Sequence, residues 1–403
     1  MKKVVIVGGG QAAASLATKL RTEGFEGSIA MICKEAHPPY QRPPLSKKYL
    51  LGEMSLDRLY LRPLSYYDDQ NIMLHLGKAV NRIDPEKKQV MFGEDTLRYD
   101  DLVLALGSEP HLLPEQIGGQ LNNVFTVRDL ADVDAVAPEF SVGKRVLIIG
   151  GGYIGLEAAA VAAKRGLNVT LVEMAGRILS RIAAPQTSDY FRALHRSRGV
   201  TIKEGVRLEK LTGNAGVANL AQLSDGTALE IDFAIVGVGI FPVTDIAADA
   251  GLSISDGIRV NAFGQTSDPS IWAVGDCCSF PYKAGELRLE SVPHAIDQGE
   301  LVAQNIMGAK IGYVPKPWFW SDQYEVKLQI TGLNTGFDKV ITRKTNDTSV
   351  SFWYYKSDHL IAVDAMNDPR AYMVAKRLIE SGKTADTLLV ADPKTDLKWL
   401  LKV

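Results

Sequence analysis

Four consecutive apolar residues in the middle of this 403-residue chain, 146–149, predict a buried strand. A helix-compatible run follows at residues 156–165, and a turn with Gly150, Gly152 and Gly155 joins the two. This G-x-G-x-x-G spacing is typical of the first turn of a dinucleotide-binding fold. Its glycines permit a tight turn, close approach of a pyrophosphate to the backbone and close packing of helix on strand.

The next predicted strand, at residues 168–172, ends directly before Glu173, which lies 18 residues beyond Gly155. An acid at this place binds a ribose hydroxyl of the dinucleotide and repels the 2′-phosphate that distinguishes NADP. The pattern therefore favours NAD. Arg177 lies four positions further on, where a cation could instead reach a phosphate, so NADP remains the alternative.

The same order of elements opens the chain. Residues 4–7 are apolar, and Gly8, Gly10 and Ala13 follow in the G-x-G-x-x-A variant of the spacing. A helical run and a second predicted strand come next, and Glu35 lies just beyond that strand. Two such turns in one chain predict two bound dinucleotides.

A proline-rich segment at residues 37–47 carries two cations, Arg42 and Lys47. Prolines fix φ and remove backbone donors, so the segment is predicted to be a stiff loop and not a regular helix. A surface linker is the alternative interpretation. A stiff loop with two cations is well suited to a place near a phosphate-binding turn.

The C-terminal part of the chain differs in pattern from the two glycine-rich parts. Four short strands and a closing helix are predicted there, at residues 327–330, 339–342, 349–354, 360–363 and 369–381. The expected fold class is α/β, with two dinucleotide-binding domains plus a C-terminal α+β domain that has an antiparallel sheet. Before that domain, residues 266–276 predict a strand with Asp276 at its end, behind a glycine.

Composition narrows the classes of function. The net charge is −2 and 46% of the residues are hydrophobic, so no global field indicates nucleic acid or a membrane surface. No apolar run reaches the roughly 18 residues of a membrane-spanning helix. The apolar run at residues 4–7 is too short for a secretion signal. A cytoplasmic location is therefore expected.

The three cysteines do not form a redox motif. Neither C-x-x-C nor C-x4-C spacing occurs, and the adjacent pair Cys277 and Cys278 could close only a strained ring. A reduced, buried pair is predicted, and Cys33 is predicted to be a packing residue. No set of metal ligands is predicted either.

Together these motifs resemble the flavoprotein NAD(P)H-dependent reductases with two glutathione-reductase-like dinucleotide folds. More narrowly, they resemble the ferredoxin reductases of bacterial oxygenase systems. The resemblance covers essentially the whole chain, and five segments carry it, at residues 40–47, 150–157, 266–277, 290–293 and 318–323.

The resemblance implies FAD at the first glycine-rich turn and NADH at the second, with the NAD domain inserted into the FAD domain. The implied boundaries are 1–111 with 245–317 for FAD, 112–244 for NAD and 318–403 for the C-terminal domain. The implied FAD residues are Gly8, Gly10, Ala12, Ala13, Glu35, Arg42, Lys47, Val80, Arg128, Asp276, Val292 and Trp320. The implied NADH residues are Gly150, Gly152, Ile154, Gly155, Glu173 and Gly239.

The resemblance also implies that Lys47 and Glu157 are the catalytic pair beside the flavin and the nicotinamide. A lysine near flavin N5 would stabilise the negative charge that develops as hydride arrives, and the carboxylate would hold the lysine in place. An ordinary ion pair between domains is the alternative interpretation.

A reductase without a thiol pair fits a one-electron acceptor. The expected partner is a [2Fe–2S] ferredoxin and, through it, a haem-thiolate monooxygenase or a ring-hydroxylating dioxygenase. Three alternatives are an NADH oxidase or peroxidase, a disulfide reductase, and a redox-sensing protein related to apoptosis-inducing factor. The first two need a suitably placed cysteine, and the third needs a basic surface or a targeting sequence. The sequence offers none of these.

Overall fold

A strand, a helix and a second strand follow one another at each of the two glycine-rich turns, as the motifs predict, whereas runs of consecutive strands occupy much of the remaining chain. The computed structural model describes residues 1–402. The strands are β1 Lys3–Val7, β2 Ser28–Cys33, β3 Ile72–Leu76, β4 Val80–Asp84, β5 Gln89–Phe92, β6 Asp95–Arg98, β7 Asp101–Leu104, β8 Ser108–Pro110, β9 Val124–Phe125, β10 Arg145–Ile149, β11 Asn168–Glu173, β12 Thr201–Glu204, β13 Leu208–Asn214, β14 Val217–Leu223, β15 Ala228–Glu230, β16 Phe233–Val236, β17 Ile240–Pro242, β18 Ile254–Ser255, β19 Gly257–Arg259, β20 Ile271–Ala273, β21 Cys278–Tyr282, β22 Gly285–Leu287, β23 Trp318–Gln323, β24 Val326–Gly332, β25 Lys339–Lys344, β26 Val350–Lys356 and β27 His359–Met366. The α-helices are α1 Gln11–Thr22, α2 Leu56–Leu59, α3 Leu64–Asp69, α4 Leu130–Val136, α5 Tyr153–Lys164, α6 Pro185–Ser197, α7 Asp245–Asp249, α8 Val292–Ile306, α9 Pro369–Glu380 and α10 Thr387–Ala391.

The chain forms two units, each built from segments that are distant in the sequence. The first unit contains residues 1–42, 55–109 and 240–315, and the second contains residues 43–54, 110–239 and 316–403. In this division the segment that carries Lys47 belongs to the second unit. The three-domain boundaries expected from the sequence stay a prediction.

The first unit is organised around a parallel sheet with the strand order β20-β7-β1-β2-β3. Its strands are rich in β-branched residues, which suit a sheet that is covered on both faces. Helix α1 covers one face with Leu16 and Leu20, which are completely buried. Helix α8 packs closely on α1 because Gly299 has no side chain. A Cβ atom there would lie 2.7 Å from the carbonyl oxygen of Ala12.

The second unit contains a parallel sheet of the same kind, with the order β12-β11-β10-β16-β9. Helix α5 lies on this sheet, and residues 155–162 of the helix are all buried. Five of these residues are glycine or alanine, so the helix backbone can approach the strands closely.

The second unit also contains an antiparallel sheet with the order β23-β24-β27-β26-β25, covered by helix α9. Two parallel sheets and one antiparallel sheet confirm the predicted fold class. The four predicted C-terminal strands are present as β24 to β27, and the sheet contains a fifth strand, β23, that was not predicted. Its two buried positions are the polar residues Ser321 and Gln323. The usual alternation of apolar and polar residues is therefore absent from this strand.

Three local predictions differ from the structure. Helix α5 begins at Tyr153 and not at Leu156. Asp276 does not end a strand, because β20 stops at Ala273 and Asp276 lies in the 3-10 turn Gly275–Cys277. The proline-rich loop gives way to a π-helical segment, Leu45–Tyr49, which is interrupted at Lys47.

Candidate functional site

The first glycine-rich turn joins β1 to α1. Gly8 has φ +132°, and a Cβ atom there would lie 2.2 Å from the carbonyl oxygen of Ala105, so only glycine fits. Gly10 precedes the helix, and nothing lies within 4 Å of the place its Cβ would take. Ala12 and Ala13 are buried in the first turn of α1. The open space at Gly10 lets a phosphate approach the free N–H groups of the helix.

Glu35 lies beyond the end of β2, where a ribose-binding acid is expected. Its carboxylate accepts hydrogen bonds from the Arg42 guanidinium and the Tyr40 hydroxyl. The guanidinium also lies over the Tyr40 ring, 5.1 Å from its centroid. The structure therefore brings together two of the predicted FAD residues, an acid suited to ribose and a cation suited to phosphate.

Asp276 reaches the same sheet edge through strand pairing, because β20 lies beside β7 and β7 lies beside β1. The Ser108 hydroxyl donates to Asp276 Oδ2 at 3.0 Å. The neighbouring Gly275 borders the first helix, since a Cβ atom there would lie 3.2 Å from that of Ala12. Asp276 is thus held beside the first glycine-rich turn, although the two are far apart in sequence.

The other residues that the resemblance implies for FAD lie on several elements. Val80 begins β4 and Val292 begins α8, both half-buried in the first unit. Arg128 and Trp320 belong to the second unit. The Arg128 backbone N–H donates to Asp132 at 2.8 Å, and Trp320 packs beside Trp318 with ring centroids 5.6 Å apart. Their contact with FAD stays a prediction.

The second glycine-rich turn joins β10 to α5 and repeats the geometry of the first. Gly150 has φ +108°, and a Cβ atom there would lie 2.2 Å from the carbonyl oxygen of Gly237. At Gly155 a Cβ would lie 2.1 Å from the carbonyl oxygen of Gly150, whereas the space at Gly152 is open. Ile154 is 43% exposed beside this opening. The turn therefore leaves room for a pyrophosphate in front of α5.

Glu173 lies at the end of β11, next to this turn. Its carboxylate accepts the N–H of Gly151 at 2.7 Å and the N–H of Ala175 at 2.7 Å. Gly239, which has φ +115°, lies beyond β16, the strand on the other side of β10. The predicted NADH residues are therefore gathered at one edge of one sheet, where such ligands bind.

Arg177 was the cation that could have favoured NADP. Its guanidinium donates to the Ser188 hydroxyl at 2.6 Å and to the carbonyl oxygens of Ser180 and Ala183 at 3.1 and 2.7 Å. These bonds hold the side chain within its own loop. The guanidinium of Arg177 is therefore engaged within its own loop, and the selection of NADH by Glu173 stays a prediction.

Glu173→Ala is expected to raise the Michaelis constant for NADH about fivefold, because a hydrogen bond from ribose to a carboxylate is worth about 1 kcal/mol or more. Bound flavin should stay unchanged, as judged by the ratio of absorbance at 450 and 280 nm. Glu209→Ala is the control, since Glu209 is an exposed acid in the same unit. An unchanged Michaelis constant in Glu173→Ala would remove Glu173 from the cofactor site.

Lys47 and Glu157 meet, as the resemblance implies. Lys47 Nζ lies 2.7 Å from Glu157 Oε2 and 3.2 Å from the carbonyl oxygen of Pro43. Glu157 is only 3% exposed, and it also accepts the hydroxyls of Ser46 at 2.8 Å and Ser321 at 2.7 Å. One cation and two hydroxyls thus compensate the cost of burying the carboxylate.

The local backbone explains how Lys47 reaches this position. Lys47 has φ −135° and ψ −109°, which interrupts the helical segment and turns its side chain toward α5. Ser46 and Ser321 were not predicted as site residues. A single serine forms no motif and no periodic pattern, so neither residue could be recognised from the sequence pattern. Each lies in one of the five segments that carry the family resemblance, and this was the only signal for them.

All three cysteines are free and buried. Burial raises the pKa of the Cys33 thiol to about 12 and that of Cys277 to about 11, and it raises the pKa of Cys278 well above its usual range. None is therefore a thiolate near neutral pH. The prediction of reduced packing residues is confirmed. Among residues 1–402, no group of metal ligands and no helix able to cross a membrane is found.

Because the thiols are protonated and inaccessible, iodoacetamide is expected to leave the native protein unmodified and its reduction by NADH unchanged. Mass spectrometry should show three modified cysteines only after unfolding in urea. Rapid modification of the native protein with loss of flavin reduction would restore thiol chemistry as a candidate.

Comparisons with known proteins agree with this geometry. Residues 2–299 match the family model of the pyridine nucleotide-disulphide oxidoreductases, and residues 318–401 match the reductase C-terminal model. A ferredoxin–NAD(P)(+) reductase of a Sphingomonas species is 41% identical over 99% of this chain and 96% of its own. Putidaredoxin reductase in its covalent complex with putidaredoxin is 37% identical, with a TM-score of 0.95 over 100% of this chain and 98% of that one. The ferredoxin reductase for the CYP199A2 system of Rhodopseudomonas palustris is 36% identical, with a TM-score of 0.95 over 99% of both chains.

Proposed function

Because the chain belongs to the pyridine nucleotide-disulphide oxidoreductase family, we propose that it is an NADH-dependent ferredoxin reductase that carries FAD. The observation that carries the proposal is a Lys47–Glu157 pair with a buried carboxylate in the same unit as an NAD-type turn, in a chain whose cysteines are all free and buried. Similarity to ferredoxin reductases over the full length of the chain supports it.

The residues present fit two dinucleotides. Both glycine-rich turns leave open space in front of a 12-residue helix, at Gly10 and at Gly152. An acid follows each of these helices at the next strand: Glu35 lies just beyond β2, and Glu173 ends β11. When bound, FAD supplies the ability to take two electrons as a hydride and to pass them on singly.

The protein's own groups bind and orient the reactants. The N-terminus of α5 would hold the pyrophosphate of NADH, and Glu173 would exchange a backbone partner for a ribose hydroxyl. The Lys47 cation would stabilise the negative charge that develops as hydride is transferred, and Glu157 holds that cation in one position. Because Glu157 is buried, water weakens the pair less than it would weaken an exposed pair.

The reaction balances with two one-electron acceptors. One NADH and two oxidised ferredoxins give one NAD⁺, two reduced ferredoxins and one proton. No thiol takes part, which separates this reaction from disulfide reduction and from the cysteine-dependent oxidases. The proposal includes a [2Fe–2S] ferredoxin that serves an oxygenase, and a cytoplasmic location where NADH is supplied.

Anaerobic titration of the purified yellow protein tests the reductive half of this proposal. One equivalent of NADH is expected to bleach the 450 nm absorbance within seconds, whereas NADPH should act far more slowly because Glu173 repels its 2′-phosphate. Equal rates with the two nucleotides would contradict the assignment of NADH. No bleaching with either would contradict a nicotinamide-dependent reductase.

A further inference from the structure

A continuous hydrogen-bond network leads from Glu157 to Tyr324 within the second unit. The Ser321 hydroxyl donates to Glu157 Oε1 at 2.7 Å, and Gln323 Nε2 donates to the Ser321 oxygen at 3.2 Å. Gln323 Oε1 lies 2.8 Å from Nε2 of His195. Nδ1 of the same ring lies 3.2 Å from the hydroxyl of Tyr324. The catalytic carboxylate is therefore connected to helix α6 through side chains alone.

The side chains in the middle of this network are buried. Ser321, Gln323 and His195 have no exposed surface. Ser321 and Gln323 are two residues apart in β23, so their side chains project from the same face of the sheet. Three buried polar side chains in a row cost free energy unless every group is paired, and all three are paired here.

The charge of Glu157 determines the direction of every bond in the network. A carboxylate that is paired with Lys47 can only accept, so Ser321 must donate to it and must accept from the Gln323 amide nitrogen. The amide oxygen of Gln323 then faces the histidine, so Nε2 of His195 carries the proton. Nδ1 is left as an acceptor for the Tyr324 hydroxyl. All four donors point toward Glu157.

The state of His195 agrees with this direction. Burial lowers the pKa of His195 to about 4, so the ring is neutral near pH 7 with one donor and one acceptor nitrogen. In a charged ring both nitrogens are donors. Nδ1 would then carry a proton and could not accept from the Tyr324 hydroxyl. The neutral ring is the only form that completes the aligned network.

We propose that Ser321, Gln323 and His195 are positioning residues that hold Glu157 in one orientation and thereby fix the Lys47 cation for hydride transfer. This inference rests on the proposed role of Lys47 and Glu157. If Ser321 were free to rotate, its lone pairs could face the carboxylate and displace it. Gln323 prevents this because its amide nitrogen donates a hydrogen bond to the serine oxygen. His195 in turn prevents rotation of the Gln323 amide, because its ring is hydrogen-bonded to the amide oxygen.

Rapid-mixing measurement of flavin bleaching by NADH tests the proposal. Ser321→Ala is expected to slow bleaching at saturating NADH about tenfold, since a hydrogen bond to a charged group is lost, while the dissociation constant of NADH changes less than about twofold. Ser321→Thr keeps the hydroxyl and should recover most of the rate. Ser351→Ala is the matched control, because Ser351 is equally buried in the same sheet. In the described structure its hydroxyl oxygen accepts a hydrogen bond from the Trp353 indole and has no other side-chain partner.

Gln323→Glu is a second, isosteric variant. In its ionised form the glutamate side chain still accepts from His195 but has no proton to donate to Ser321, so the hydroxyl turns away from Glu157 at pH values above the pKa of this buried carboxyl group. Bleaching is expected to slow about tenfold in the folded, flavin-loaded protein. If Ser321→Ala and Gln323→Glu bleached at the same rate as Ser351→Ala, the proposal would be overturned. The network would then have a structural role only.

A readout that needs no catalysis is the tautomer of His195. ¹⁵N NMR of the protein with labelled histidines shows the signals of its six histidines. The signal that is missing from the spectrum of the His195→Asn variant belongs to His195. The expected form carries the proton on Nε2 and does not titrate between pH 5.5 and 8. A proton on Nδ1 would reverse the direction of the network and contradict the proposal. Bleaching and NMR both omit ferredoxin, so failure of ferredoxin reduction alone would count against the proposed function and not against this inference.

Discussion

Asp276→Ala is expected to yield a colourless protein, because FAD should no longer stay bound. In the structure Asp276 is held by the Ser108 hydroxyl beside the first glycine-rich turn, at the edge of the sheet where FAD is proposed to bind. A carboxylate there accepts hydroxyls of the ribitol chain or orders groups at the pyrophosphate. Loss of this charge-assisted bonding is expected to weaken FAD binding by about a hundredfold. Absorbance at 450 nm relative to 280 nm after gel filtration measures it.

Asp249→Ala is the matched control for this loss. Asp249 is an exposed acid on α7 in the same unit, and its removal should leave the yellow colour intact. The Asp276→Ala protein is expected to stay folded by circular dichroism, because the carboxylate contributes no core packing. A fully yellow, flavin-saturated Asp276→Ala protein would contradict the assignment of Asp276 to FAD.

Lys47→Met is expected to slow reduction of the flavin by NADH about a hundredfold, with NADH binding nearly unchanged. Removal of one group that stabilises charge in a transition state costs a factor of about 10²–10³. Methionine has a similar length but no charge, so packing is largely preserved. Rapid-mixing spectroscopy at saturating NADH measures the rate, and the dependence on NADH concentration gives the binding constant.

Lys48→Met separates a local effect from a general one. Lys48 is the next residue and is exposed, so its replacement should leave the rate as in the unchanged protein. If Lys47→Met reduced its flavin at the normal rate, the Lys47–Glu157 pair would be structural only. If the variant lost NADH binding while keeping its rate, the pair would belong to nucleotide recognition.

The two dinucleotide folds could be predicted because their signal is local. At Gly8 and Gly150 the backbone has a positive φ, and a side chain would collide with a carbonyl oxygen, so the sequence must place glycine there. The apolar strands before the turns and the acids after the second strands follow from the same short-range geometry. Each motif spans fewer than about 35 residues.

The position of Asp276 depends on a long-range contact. β20 pairs with β7 in the register Ile271 to Leu102, which brings together parts of the chain that no local pattern connects. Only the resemblance to a family indicated that Asp276 returns to the first domain. The same limit applies to Lys47 and Glu157, whose contact joins two distant segments.

The strand β23 could not be predicted because its buried positions are polar. Ser321 and Gln323 occupy places where a strand of this kind usually carries apolar residues, and hydrogen bonding to Glu157 and His195 allows their burial. A pattern that depends on hydrophobicity is weakest at such positions. The sequence pattern thus missed the two residues that connect Glu157 to His195 by hydrogen bonds.

In the proposed function, electrons leave this protein one at a time to an iron–sulfur protein. The most direct test mixes the flavin-loaded protein, NADH and cytochrome c with and without a bacterial [2Fe–2S] ferredoxin such as putidaredoxin. Reduction of cytochrome c is expected to depend on the ferredoxin, to saturate with it and to be supported poorly by NADPH. Oxidation of NADH that is accounted for entirely by oxygen or peroxide, with no response to the ferredoxin, would contradict the proposed function and favour an oxidase.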